Sequence, residues 1–199
     1  MIKTGYKQLG SGGYTTAFSN GGRNVMLISC DPVKMHMAQG NFPDHSLFPK
    51  VKLLGEFNEG VLVDHYLYSM PFLKTFKGID RAGLKAHLNR RQYKFLCALQ
   101  DNMGFRDGYN DINCGINDLP CEFEKEKNIL RRALDSFDIN ISFEMQYFNI
   151  AGKNGKLILM DCFYSNDAEH TELWAVESAV KNLQRRGLTL WNNPIKWNA

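Results

Sequence analysis

Up to Pro71 the chain sets its apolar residues in short runs rich in β-branched and aromatic side chains, broken by Gly, Asn and Pro. Beyond Pro71 the apolar residues recur at helical spacing, and β-branched residues become few. This change of period at Ser69-Met70-Pro71 constrains the fold more than any other feature. It predicts an α+β chain with a small antiparallel β part over residues 1–70 and a mainly helical part over 71–199.

Three β-prone runs open the chain: 5–10 (GYKQLG), 14–19 (YTTAFS) and 24–30 (NVMLISC), the second and third joined by the turn-forming Asn20-Gly21-Gly22-Arg23. A short helix is predicted over 31–38, because Asp31 can cap it and Pro32 suits its first turn. Residues 51–57 and 60–68 read as a further strand pair, parted at Asn58-Glu59. Helical periodicity follows over 80–103 and 122–136, with a Gly-, Asn- and Asp-containing loop at 104–121 between them. A strand pair at 147–151 and 156–160 is expected to turn at Lys153-Asn154-Gly155, and a helix over 169–186 is expected to stop at Gly187.

A chain of 199 residues suffices for one domain or two small lobes, and 44% hydrophobic with 23% charged residues is an ordinary globular balance. The net charge of +3 is a weak electrostatic footprint. The runs Asn89-Arg90-Arg91 and Arg131-Arg132 read as solvated helix faces, so nucleic acid is not indicated. Five cysteines without a CxxC pair, and an N-terminus without a hydrophobic signal core, point to reduced thiols in a cytosol. The five histidines form no HxH or HExxH pattern, and no apolar run approaches membrane-span length.

Two stretches carry possible chemistry. In LGSGGYTTAF, Gly10, Gly12 and Gly13 followed by Tyr14 suit a backbone passing close to a phosphate; the same glycines would equally serve positive-φ positions of a hairpin. In FEMQYFNIAGKNGKLILMDCF, Glu144 precedes Asn149 by five positions, a hairpin follows, and Asp161 stands near the end. In a phosphotransferase that order lets Glu144 orient the acceptor hydroxyl while Asn149 and Asp161 hold Mg²⁺ on the nucleotide phosphates. Asn149 and Asp161 are also residue types that cap local turns.

Taken together, LGSGGYTTAF, SFEMQYFNI and MDCF resemble the protein-kinase-like family, and within it the early serine/threonine kinases of T7-like bacteriophages. The resemblance covers residues 5–75 and 122–165. It implies a two-lobed fold with a β N-lobe and a reduced, mainly helical C-lobe, nucleotide contacts at Gly10, Gly12, Gly13 and Tyr14, and Mg and ATP as possible ligands. The chain departs from the family where charge matters. Leu27 or Ile28 stands in NVMLIS at the place of the strand-three lysine, and residues 31–50 hold no Glu to pair with one. Glu144 replaces the catalytic aspartate, and Cys162-Phe163 follows the metal-binding Asp161.

The function implied is a pseudokinase that acts in the cytoplasm of an infected host by binding and inhibiting a host protein, in takeover or counter-defence. The alternative is an active Mg-ATP-dependent serine/threonine kinase with Glu144 in the catalytic acid position. A small-molecule phosphotransferase is a third reading, suggested by the short segment after Asp161. The tryptophans Trp174, Trp191 and Trp197 suggest an aromatic clasp or a partner-binding tail.

Overall fold

A computed structural model describes residues 7–19, 21–57, 65–103, 112–137, 141–143, 150–165 and 173–187. The chain forms two compact units, one of Met1–Gln39, Lys50–Phe72 and Ala168–Ala199, the other of Gly40–Pro49 and Leu73–Asp167.

The first unit is built on an antiparallel five-stranded sheet of β1 (Lys7–Ser11), β2 (Thr15–Ser19), β3 (Asn24–Ser29), β4 (Lys52–Glu56) and β5 (Tyr66–Pro71). Its order is β1-β2-β3-β5-β4. Helix α1 (Pro32–Ala38) connects β3 towards β4, and it forms where the sequence predicts: the Asp31 carboxylate accepts from Val33 N at 3.0 Å, and Pro32 occupies the first turn. Strand alternation puts Phe18, Met26, Ile28 and Leu67 on one face. They pack with Phe57 against Ala175, Val176, Ala179, Val180 and Leu183 of the last helix, Leu173–Arg185. The apolar stripe of that helix thus finds its cover on the sheet, while Gly187, at φ +70°, follows its end as expected.

The second unit holds the other helices: α2 (Arg90–Met103), α3 (Ile112–Asn117) and α4 (Glu124–Leu134), the last helix of the chain being α5. Phe95 of α2 meets Phe123 at the start of α4 with ring centroids 5.4 Å apart. Beside them Arg91 forks onto Glu126, donating through Nη2 at 2.7 Å and Nε at 3.1 Å. Two small ladders complete the unit: β6 (Ile141–Phe143) with β9 (Phe163–Ser165), and β7 (Ile150–Lys153) with β8 (Lys156–Leu159). The β7–β8 turn falls at Asn154-Gly155, with φ of 52° and 72°. The chain is α+β, with its antiparallel sheet in the N-terminal part and most helices after it.

Four boundaries differ from the sequence reading. The helix expected from residue 80 begins at Arg90, because residues 83–86 form a 3-10 turn and Asn89 caps α2 by accepting from Gln92 N. The loop expected over 104–121 contains α3. The strand expected at 60–68 is β5 at 66–71, where Pro71 can end the strand without donating to a ladder, and residues 58–64 lie outside the described set. Neither member of the β6–β9 pair was expected. No helix among the described residues is long and apolar enough to cross a membrane.

Candidate functional site

The residues singled out by sequence fall in both units, and each group has its own local frame. In the first unit the β1–β2 turn is closed by Gly12 N donating to Thr15 O at 2.9 Å, and a bulge at Leu9 shifts the register between Gln8 and Gly10. Gly10 and Gly12 stand at ordinary φ, and a Cβ built on either would meet nothing within 4 Å. The hairpin therefore does not need glycine at these places for a positive φ, which removes the plain turn explanation for them. Ser11, Gly12 and Gly13 are exposed, and Tyr14 is half-buried.

The Tyr14 carbonyl ties this loop to the end of β3. It accepts from Cys30 N at 3.2 Å and from Ser29 Oγ at 2.9 Å. With its proton given to Tyr14, Ser29 Oγ accepts from Thr15 Oγ1 at 2.6 Å and from Asp31 N at 3.1 Å. Asp31 caps α1 through Oδ1, and its Oδ2 lies 3.9 Å from Lys34 Nζ, both side chains being only 2% exposed. A chain of polar contacts thus runs from the glycine loop through Ser29 to a buried ion pair.

The middle of β3 carries no charge. Met26 and Ile28 face α5, so the strand's other face presents Leu27, paired across the sheet with Ala17 and Tyr68 and itself buried. Of the two residues that the kinase resemblance sets at its strand-three lysine, Leu27 is the one turned away from α5. Tyr68 is fully buried, and its hydroxyl has no hydrogen-bond partner among the described residues. Burial, reinforced by Tyr66 and Asp31, pushes this phenol far above its ordinary range and keeps it neutral.

In the second unit Asp161 lies in the short link from β8 to β9, half-buried. Phe143 pairs with Phe163, and Ile150 pairs with Leu159. The links 144–149 and 160–162 therefore join the same two ladders. Glu144 and Asn149 fall in the first of these links and lie outside the described residues. The acid-hairpin-acid order that the resemblance implies is thus framed by two ladders, with Asp161 at their junction.

The strands on either side of Asp161 are anchored. Phe163, two residues on, is buried among Phe42, Phe48 and Phe143, with ring centroids 5.7, 6.0 and 4.9 Å away. Leu159 N donates to Leu47 O at 2.7 Å, and Leu47 N in turn donates to His45 Nδ1 at 3.2 Å. Burial, aided by Lys125 and Lys156, lowers the His45 pKa, so the imidazole stays neutral and keeps the acceptor that Leu47 uses. Sequence reading gave His45 no role, and only its place between Asp44 and Ser46, all turn-compatible types, hinted at one.

No family model and no curated protein matches the chain. Among solved structures it is similar to a thermostable mutant of aminoglycoside phosphotransferase APH(4)-Ia in its apo form, at 15% identity and a TM-score of 0.40, over 92% of this chain and 78% of that one. A ternary complex of such a mutant with ADP and hygromycin B matches at 16% identity and a TM-score of 0.39 over the same shares, 92% and 78%. The streptomycin-ATP complex of APH(2'')-IIa matches at 14% identity and a TM-score of 0.28, over 82% of this chain and 68% of that one. Likeness at this level leaves the fold class to rest on the strand order and ladders described above.

Proposed function

We propose that this chain is a kinase-like binding module, a pseudokinase that acts on a protein partner rather than by phosphoryl transfer. The observation that supports this reading is the state of charge behind the glycine loop. Leu27 is a buried aliphatic residue on the β3 face turned away from α5, and Lys34, the lysine connected to the loop through Ser29 and Asp31, is covered and paired with a carboxylate. An aliphatic side chain cannot offset phosphate charge, and an ammonium held at an acid is already neutralised. The resemblance to the phage kinases supplies the setting, takeover of a host cell, with a host protein as the partner.

The test is the melting temperature of the purified chain with and without millimolar Mg-ATP. No change is expected, since a ligand that binds the native state at 100 times its Kd adds about 2.7 kcal/mol and would be plain. A rise in Tm would overturn the reading.

A second reading, an active Mg-ATP-dependent serine/threonine kinase, is favoured by one observation: Gly10 and Gly12 are glycine without needing to be for the fold, which suits close approach of a ligand. In that reading Asp161 and Asn149 hold Mg²⁺ and Glu144 orients the acceptor hydroxyl. Transfer of labelled phosphate would then be lost in Asp161→Ala, and transfer surviving that change would exclude the assignment.

A further inference from the structure

The cysteines of this chain differ in burial and in the direction of their hydrogen bonds. Cys162 is buried, Cys121 is exposed, and Cys30 and Cys97 are half-buried. The Cys30 thiol donates, from Sγ to Tyr14 O at 3.7 Å. Cys97 Sγ accepts instead, from Arg81 Nε at 3.3 Å. Asp101 positions that guanidinium by taking Nη1 and Nη2 at 3.0 Å each, and Nη2 also reaches Cys97 O at 3.4 Å. The Cys97 sulfur keeps its bond to Arg81 when its proton leaves, whereas Cys30 loses the bond that it donates.

A second observation lies one turn further along α2. Gln100 is only 7% exposed, and neither its Oε1 nor its Nε2 has a hydrogen-bond partner among the described residues. Gln100 and Cys97 stand three residues apart and share a side of the helix. Long side chains in a helix lean back towards its N-terminus, so the Gln100 amide leans over the turn that holds Cys97. A buried amide left unpaired costs stability, and a thiol is too weak a donor and acceptor to relieve it. An oxygen added to that sulfur is a strong acceptor in the right place.

From this arrangement we infer that Cys97 is a site of reversible oxidation by hydrogen peroxide. The sulfur attacks one peroxide oxygen: an S–O bond forms, the O–O bond breaks, and the leaving hydroxide takes up the thiol proton as water. Sulfur is oxidised by two electrons and the peroxide is reduced by two, so thiol and hydrogen peroxide become sulfenic acid and water. The S–OH group then has a proton to give Gln100 Oε1 and lone pairs for Gln100 Nε2 and Arg81 Nε. A small thiol reverses the step: it condenses with the sulfenic acid, releasing water, and a second thiol frees Cys97 from the mixed disulfide. Cys97, Arg81, Asp101 and Gln100 all belong to the second unit, and none of them carries the pseudokinase reading.

The test is dimedone trapping in the full chain exposed to an equimolar amount of hydrogen peroxide, with the labelled cysteines mapped by mass spectrometry. Cys97 should be labelled about fivefold faster than Cys121, the reverse of the order that exposure alone gives. Arg81→Lys should bring the two rates together, because an ammonium has no planar fork to hold Asp101 while donating to the sulfur. Gln100→Leu keeps an apolar residue of similar size in the helix, and circular dichroism checks its fold. In that variant the sulfenic acid, followed by delayed addition of dimedone, should decay about tenfold faster for want of a hydrogen bond. Dithiothreitol should return Cys97 to its reduced mass. Labelling of Cys121 ahead of Cys97 would overturn the inference, as would an unchanged preference in Arg81→Lys or an unchanged lifetime in Gln100→Leu. A mass gain at Cys97 that survives dithiothreitol would overturn its reversibility.

Discussion

The glycine loop and β9, the strand that follows Asp161, are held by different kinds of contact. The loop is held by directional polar contacts, with Tyr14, Thr15 and Asp31 all meeting at the Ser29 hydroxyl. The start of β9 is packed in: Cys162 and Phe163 are both 1% exposed, and the latter is ringed by phenylalanines. Hydrogen bonds fix where a backbone points, and packing fixes where it lies. The loop frame therefore defines the shape of an exposed backbone turn, and the middle of the β3 strand behind it carries no charge. The Asp161 frame keeps its acid in the link between β8 and β9, at the junction of two ladders.

If the two frames differ in this way, removing their centres should cost different amounts. Phe163→Ala should lower unfolding free energy by about 4 kcal/mol, the usual cost of emptying a large buried aromatic site. Urea unfolding would show it, and a loss below about 1 kcal/mol would mean that packing does not hold β9. Ser29→Ala should cost less, about 2 kcal/mol, since it strands the Asp31 N–H and the Thr15 hydroxyl while Tyr14 O still accepts from Cys30 N. Amide exchange should speed at Cys30 and Asp31 in that variant. Unchanged exchange there would break the comparison from the other side.

What the sequence revealed followed the same division. Features set by local chemistry were legible: Asp31-Pro32 at the start of α1, the Asn154-Gly155 turn, and Gly187 after α5. Features set by distant packing were not. Leu84 and Leu88 lie at helical spacing and are buried, yet they belong to a 3-10 turn and a bridge rather than to α2. The capping pattern Asn89-Arg90-Arg91-Gln92 was available to mark the true start, although Gln92 turns its side chain to Leu157 N instead of back to the cap. Tripeptides as short as Ile141–Phe143 and Phe163–Ser165 carry no period that could announce a ladder. In the candidate site, the absence of a charged residue from the middle of β3 was plain from NVMLIS. The pairing of Lys34 with Asp31 was not, because Asp31 already had a sufficient explanation as a cap.

The Asp161 frame should also respond to pH, through His45. The His45 pKa lies below its ordinary 6.5 in the folded chain, so the unfolded chain binds a proton there first as pH falls. The stability this gives is present in full above pH 6.5 and is lost as pH drops through the lower folded value. Denaturation at pH 7.5 and at 5.5 should show the fall, and His45→Ala should reduce it. An imidazole titration by NMR with a midpoint above 6.5 would reverse the sign and remove the argument. A second, more acidic loss is expected at Glu126. Burial works to raise its pKa, but the Arg91 hydrogen bonds outweigh burial and hold it below 4.5, so that pair weakens only as pH falls below that value.

The smallest effect on stability belongs to Gly12→Ala. With an ordinary φ and no atom within 4 Å of the added methyl, this change should move stability by no more than about 0.5 kcal/mol in either direction. The same methyl would stand on the exposed loop, where any phosphate approaching the backbone must pass. Silence in the Tm, with and without Mg-ATP, is therefore the outcome that the pseudokinase reading proposed above expects. A Tm rise with Mg-ATP in the unaltered chain that disappears in Gly12→Ala would show instead that the loop still holds nucleotide. In that event the cation behind it would have to be sought in Lys34, freed from Asp31 when the phosphate arrives.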